Sequence, residues 1–124
     1  MIELYHVLYW IGVVLFGGYF VYSGINHFTN HKGLVGYASS MGVPNPALAV
    51  GVSGVLLILG GLGIIFHFYV LLALWLLVIF LVPVTYKMHA FWKIPDPAMK
   101  ASNKIGFLKN MGLLGAVLIR MSVL

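Results

Sequence analysis

Residues 83–110, PVTYKMHAFWKIPDPAMKASNKIGFLKN, decide how the chain is read. They hold five of the seven cationic side chains (Lys87, Lys93, Lys100, Lys104 and Lys109), with His89, Trp92 and one of only two carboxylates, Asp96. Long apolar runs flank the segment on both sides, so it marks where the chain leaves one apolar layer and prepares to re-enter it. Whatever chemistry the protein performs should gather near this segment.

The apolar flanks decide the fold class. Of 124 residues, 62% are hydrophobic and 7% charged, against roughly a quarter charged in soluble domains. A domain this small cannot hide so much apolar surface from water, so lipid is the expected solvent. Runs at about residues 4–26, 46–66, 68–86 and 105–123 are each close to the roughly 20 residues a helix needs to span the hydrocarbon. Lone strands would leave their backbone groups unpaired there. The expectation is an all-α, integral membrane four-helix bundle forming a single domain over residues 1–124. The N-terminus carries Glu3 in place of a positive segment and shows no small-x-small cleavage site, so it reads as the first span and not as a signal peptide.

Only a tight link near His67 separates the second and third runs, which predicts an antiparallel hairpin. Residues 87–104 are expected to lie along the membrane surface, with Phe91 and Trp92 at headgroup depth and lysines reaching outward. The net charge of +5 does not point to nucleic acid, because the cations sit at span boundaries. Lys32, Lys87, Lys93, Lys100, Lys104 and Lys109 lie in or beside the first and third loops, with only Arg120 and the free N-terminus opposite. The positive-inside rule therefore places both loops in the cytoplasm and both termini outside the cell membrane. The absence of Cys excludes disulfide exchange, thiolate metal sites and a cysteine nucleophile.

An echo links Val43-Pro44-Asn45-Pro46-Ala47-Leu48 to Ile94-Pro95-Asp96-Pro97-Ala98-Met99. Asn or Asp before Pro is a helix start, so the echo has a mechanical explanation, convergent capping, beside duplication of a two-helix hairpin. Small residues mark surfaces for close helix approach. Ala47, Gly51, Gly54 and Gly61 share a face of the second span, and Gly112 and Ala116 extend a face of the fourth. The third span, rich in Leu and Val and free of Gly, reads as the more lipid-facing helix.

On the first span Tyr19, Tyr22, Ser23, Asn26, His27 and Asn30 recur at three- and four-residue intervals. Hydrocarbon offers such groups no partner, so the stripe should turn inward, as packing glue or as a wall of a polar cavity. His27 and His31, four apart, are the weak candidates for a metal, with no third ligand fixed by the pattern. No metal site is expected; His27 and His31 share one face and cannot approach opposite faces of one haem, which leaves only a cross-helix pair such as His27 with His89 for such ligation. His89, Lys109 and Asn110 join the stripe by topology, since the first and third loops share a side. Lys109 lies about one turn inside the apolar run, where it either snorkels to the interface or presents a donor inward. Asp96 reads as an N-cap, and paired carboxylates for hydrolysis are absent because Glu3 lies on the other side.

The chain resembles the DoxX family of small four-helix membrane proteins. The likeness rests on Ser23-Gly24 with Asn26-His27-Phe28, on Leu59-Gly60-Gly61-Leu62-Gly63, and above all on Pro83-Val84-Thr85, Met88-His89-Ala90-Phe91-Trp92, Asp96-Pro97, Phe107-Leu108-Lys109-Asn110 and Gly115-Ala116. It implies a four-helix bundle and kinship with a subunit type of thiosulfate:quinone oxidoreductase. Many relatives carry a Glu in the second helix; residues 50–57 here have none, which removes carboxylate-dependent proton chemistry at that place.

Two functions follow as expectations. In the first, a quinone lies between the first and fourth spans, with Tyr19, Tyr22, Asn26, His27, His89, Trp92, Lys109 and Asn110 around it. The electron source would be another membrane or peripheral redox protein. In the second, the chain is a non-catalytic assembly or scaffold subunit that docks a partner or a second copy of itself. An enclosed cavity reaching from Tyr22 to His89 favours the first, and a filled bundle with an exposed small-residue groove the second.

Overall fold

The computed structural model describes residues 2–124, which form α1 Ile2–Thr29, α2 His31–Ser40, α3 Pro46–Ile65, α4 Val70–Met88, a 3-10 turn Phe91–Lys93 and α5 Pro97–Ser122. The helices α1, α3, α4 and α5 are each long and apolar enough to cross a membrane. No strand occurs among the described residues. The protein is a multi-pass membrane protein built as a helical bundle, and the large apolar side chains exposed along α1, α3, α4 and α5 face lipid.

The helix starts show how local chemistry sets the boundaries. Asp96 caps α5, its Oδ2 accepting from the Met99 N–H at 3.1 Å, with Pro97 in the first helical position. Asn45 opens α3 differently: it adopts a left-handed backbone at φ 49° and makes no side-chain cap bond. Capping therefore accounts for one half of the sequence echo only. The link between α3 and α4 holds two further left-handed residues, His67 at φ 54° and Tyr69 at φ 49°. Each such conformation costs an L-residue roughly 1–2 kcal/mol, which the packing of the hairpin must offset.

The first loop is largely helical. Across Asn30 the hydrogen-bond ladder barely breaks, since Asn30 N–H donates to the Asn26 carbonyl at 2.9 Å and Leu34 N–H to the Asn30 carbonyl at 3.1 Å. The Asn30 backbone, at φ −114° and ψ 36°, bends the chain from α1 into α2. Leu34, Tyr37 and Ala38 stand three and four apart, the spacing of one helical face. Gly33, Gly36 and the polar company around them conceal that signal in the sequence.

Backbone contact organises the bundle. A Cβ added to Gly61 would stand 2.6 Å from the Gly17 carbonyl oxygen, and one added to Gly24 would stand 2.7 Å from that of Gly54. Two glycines of α1, seven residues apart, thus meet two of α3 in antiparallel register. Of the four small residues expected to share a packing face on α3, Gly54 and Gly61 do so; a Cβ on Gly51 meets nothing within 4 Å, and Ala47 is exposed. On α5, Gly112 faces open space and Ala116 is exposed, so that strip packs on nothing within the protomer.

The lipid-facing expectation for the third span is corrected. Helix α4 packs between α3 and α5, and its Leu74, Leu77 and Leu81 are sealed. Branched side chains can occupy the centre because α3 makes room: Gly60 lies against Leu77, and Gly63 against Ala73. The least embedded helix is α5. Helices α1 and α5 do not pack backbone to backbone; long side chains span the seam between them.

The apolar core (Val13, Phe20, Leu57, Ile64, Leu74, Leu77, Leu81 and Val117 among its members) fills the half of the bundle nearer the termini. The half nearer the first and third loops is hollow. Substituting Gly61→Ala should lower stability by about 1–3 kcal/mol, because backbone and not a flexible side chain stands in the way. Gly112→Ala should be neutral or stabilising by up to about 1 kcal/mol. Unfolding of the purified protein in detergent, monitored by circular dichroism, checks the pair.

Candidate functional site

The hollow half holds a partly open cavity of about 720 Å³, lined by all four spanning helices and by Leu34, Tyr37 and Ala38 of α2. Six of the eight side chains expected at the site border it: Tyr19, Asn26 and His27 from α1, His89 from the end of α4, and Lys109 and Asn110 from α5. Ser23 and Ser53 add hydroxyls to the wall.

Tyr22 and Trp92 do not line the cavity. The face of α1 turned to α3 runs through Val13, Gly17, Phe20 and Gly24. At 100° per residue Tyr22 projects roughly 160° away from Phe20, and it is 73% exposed. The polar stripe read from the sequence was too wide, spanning both the inner face and part of the lipid face. Trp92 is held elsewhere by aromatic contacts, its ring 5.7 Å from Phe107, 5.3 Å from Phe91 and 5.9 Å from Tyr86. This cluster fastens the 3-10 turn to the third turn of α5 and to the end of α4.

On the α1 wall, His27 is fixed by α3. Its Nδ1 lies 3.1 Å from the Val50 carbonyl and 3.0 Å from Ser53 Oγ, while the Ser53 hydroxyl donates to the same carbonyl at 3.0 Å. The neighbouring His31 directs its Nδ1 to the His27 carbonyl at 3.2 Å. Each of the two candidate metal ligands thus uses one ring nitrogen on a backbone carbonyl. No group of three or more His, Asp or Glu able to hold a metal lies among the described residues.

The α5 wall carries donors. Lys109 reaches over the seam between α1 and α5, its Nζ 5.7 Å from the centre of the Tyr19 ring, a cation–π contact. Asn110 points inward. It is 5% exposed, borders the cavity, and makes no side-chain hydrogen bond among the described residues.

The loop end is closed by a polar network that the sequence did not disclose. Tyr37 Oη donates to the Asn103 carboxamide oxygen at 2.6 Å, with the Met88 carbonyl 3.0 Å away, and the Asn103 amide donates to the Met99 carbonyl at 3.0 Å. Three elements, α2, α4 and α5, are tied by one phenol. His89 packs beside it against the bare backbone of Gly106, where an added Cβ would stand 2.6 Å from the His89 Nδ1. That nitrogen is sealed with no partner among the described residues.

A second constellation stands at the terminal end. Arg120 donates to Tyr9 Oη at 2.9 Å, and the same hydroxyl is hydrogen-bonded to His67 Nε2 at 3.0 Å. It bridges α1, α5 and the α3–α4 link, and its only signal in the sequence is an arginine near the end of an apolar run.

The sequence profile of DoxX matches residues 11–90, from within α1 to just past α4. The chain belongs to the DoxX family. No curated protein and no solved structure gives a significant match. In this DoxX protein the matched span supplies three spanning helices, α2 and the end of α4 with His89. Helix α5, with Lys109 and Asn110, lies beyond it.

Tyr37→Phe should destabilise this DoxX protein by about 1–2 kcal/mol, since the oxygen of the buried Asn103 loses its donor. Thermal unfolding in detergent, compared with Tyr22→Phe on the lipid face, measures the difference.

Proposed function

We propose that the cavity binds a flat apolar molecule of the quinone class and that the chain serves as a membrane accessory subunit to a redox enzyme. One observation carries this reading. Asn110 stands in an apolar helix, the residue 95% removed from the surface, borders the cavity and has no side-chain hydrogen bond among the described residues. Without a compensating hydrogen bond, burying such a group costs roughly 2–7 kcal/mol. A ligand oxygen relieves that cost. The volume of about 720 Å³ falls within the roughly 300–1,000 Å³ of small-molecule pockets, and apolar walls with a few placed polar groups are their usual lining.

In this reading Lys109 and Asn110 donate to a ligand oxygen, Asn26 and His27 face it from α1, and the Tyr19 ring borders the cavity. His89 closes the loop end. Electrons come from a partner protein, another membrane or peripheral redox subunit, because the chain offers no thiolate and no cluster of three metal-ligating residues among those described. The assembly-subunit alternative has one observation in its favour, the open strip at Gly112 and Ala116 on α5. A second copy or a partner helix would find close approach there.

Binding of a short-chain naphthoquinone to the purified protein in nanodiscs tests the first reading. Asn110→Leu should weaken it at least tenfold and Trp92→Phe should leave it unchanged. Undiminished affinity in Asn110→Leu would remove the basis of the proposal. Orientation is tested separately. Since the chain has no Cys, Glu3→Cys should react with a membrane-impermeant maleimide on intact cells and Lys100→Cys should not, as the positive-inside rule requires.

A further inference from the structure

We infer that His27 makes the cavity selective for the reduced, hydroxyl-bearing form of its ligand over the oxidised, carbonyl-bearing form. This rests on the reading that the cavity takes a molecule of the quinone class, and it concerns binding alone.

The inference comes from the hydrogen bonds that hold the ring. A backbone carbonyl only accepts, so Val50 O at 3.1 Å requires the hydrogen of the neutral imidazole to sit on Nδ1. Ser53 agrees with that assignment. Its own hydrogen goes to Val50 O at 3.0 Å, which leaves a lone pair of Oγ facing Nδ1–H at 3.0 Å. The ring is further set by Phe80, whose ring meets it edge-on at 5.9 Å between centroids. With Nδ1 engaged on α3, Nε2 is a bare acceptor. It has no donor among the described residues and is not one of the sealed polar atoms, and His27 borders the cavity.

Tyr19, Ser23 and Asn26 on α1, like Asn110 on α5, can donate or accept, so the contrast lies between two positions, His27 and Lys109. On α5, the Lys109 ammonium has only donors to offer and the Asn110 amide can donate. On α1, His27 can only accept. A quinone carries acceptors at both ends: one carbonyl is served by α5, while the other meets the lone pair of Nε2. A hydroquinone satisfies both positions, because one hydroxyl donates to Nε2 and the oxygen of the other accepts from α5. The sequence expectation that His27 donates to a ligand oxygen is thereby reversed for the neutral ring. A site built around a hydroxyl discriminates strongly against the analogue that lacks its hydrogen, and for one such bond a ratio of about tenfold is expected.

The test uses the full chain in nanodiscs at pH 8, where an ordinary imidazole is neutral, under anaerobic conditions. Dissociation constants are measured for tetramethyl-1,4-benzoquinone and for its hydroquinone. The hydroquinone should bind about tenfold tighter, and His27→Phe, which removes the acceptor, should bring the ratio close to one. Equal affinities in the unaltered protein would overturn the selectivity and leave the cavity reading standing; binding of neither form would overturn both. Nitrogen-15 NMR of histidine-labelled protein gives a readout that does not depend on the variant folding. The His27 resonances should report hydrogen on Nδ1, and hydrogen on Nε2 would overturn the inference.

Discussion

The contact on which the rest of the structure depends is the backbone approach of α1 to α3 at Gly17 with Gly61 and at Gly24 with Gly54. In lipid, helices gain little by hiding apolar surface from one another, so association relies on close packing, which small residues permit. Drawing α1 onto α3 has a consequence on the other side. Helix α5 packs on α4, and the seam between α1 and α5 is left to side chains that can stretch: Lys109 to Tyr19 at one level and Arg120 to Tyr9 at another. Where Phe20, Leu57, Leu81 and Val117 fill the space the bundle is solid. Nearer the loops small and polar side chains replace them, and the space stays open.

The polar groups of that open half come from both walls. Ser53 and the Val50 carbonyl hold the imidazole of α1 through its Nδ1. Lys109 and Asn110 bring donors from α5. Helix α2 and the Tyr37–Asn103 bond cover the loop end, so the cavity is bounded by protein on the side where the lysines gather. A polar interior of this kind is costly in a membrane unless its groups find partners. That cost is the physical reason for reading Asn110 as a ligand contact and not as idle packing.

Much of the fold was legible in the chain, because the length and apolarity needed to span a bilayer are properties of consecutive residues. The four spans, the hairpin at His67 and the cap at Asp96 are of this kind. The glycine partners on α1 were not legible: Gly17 and Gly24 acquire meaning only opposite Gly61 and Gly54. The burial of α4 was misread because Leu and Val suit lipid and core equally, and the glycines that admit Leu77 and Ala73 belong to α3. At the site, Asn26, His27, His89, Lys109 and Asn110 could be collected from polarity and topology. Tyr22 and Trp92 lie away from the cavity: for Tyr22, a stripe of 140° read from spacing does not say which of its edges faces protein, and Trp92 is drawn into the aromatic cluster with Phe91 and Phe107.

The sequence by itself determined that the protein lives in a membrane, how many times it can cross, and which end gathers its charge, because each of these follows from local composition. Only the tertiary structure decided which helices touch, where the bundle is hollow, and how His27 is held at the cavity wall. Those depend on the Val50 carbonyl, Ser53 and Phe80, groups 23 to 53 residues away in the chain. Hydrogen-bond direction is a property of the pair, and no single stretch of residues contains both of its members.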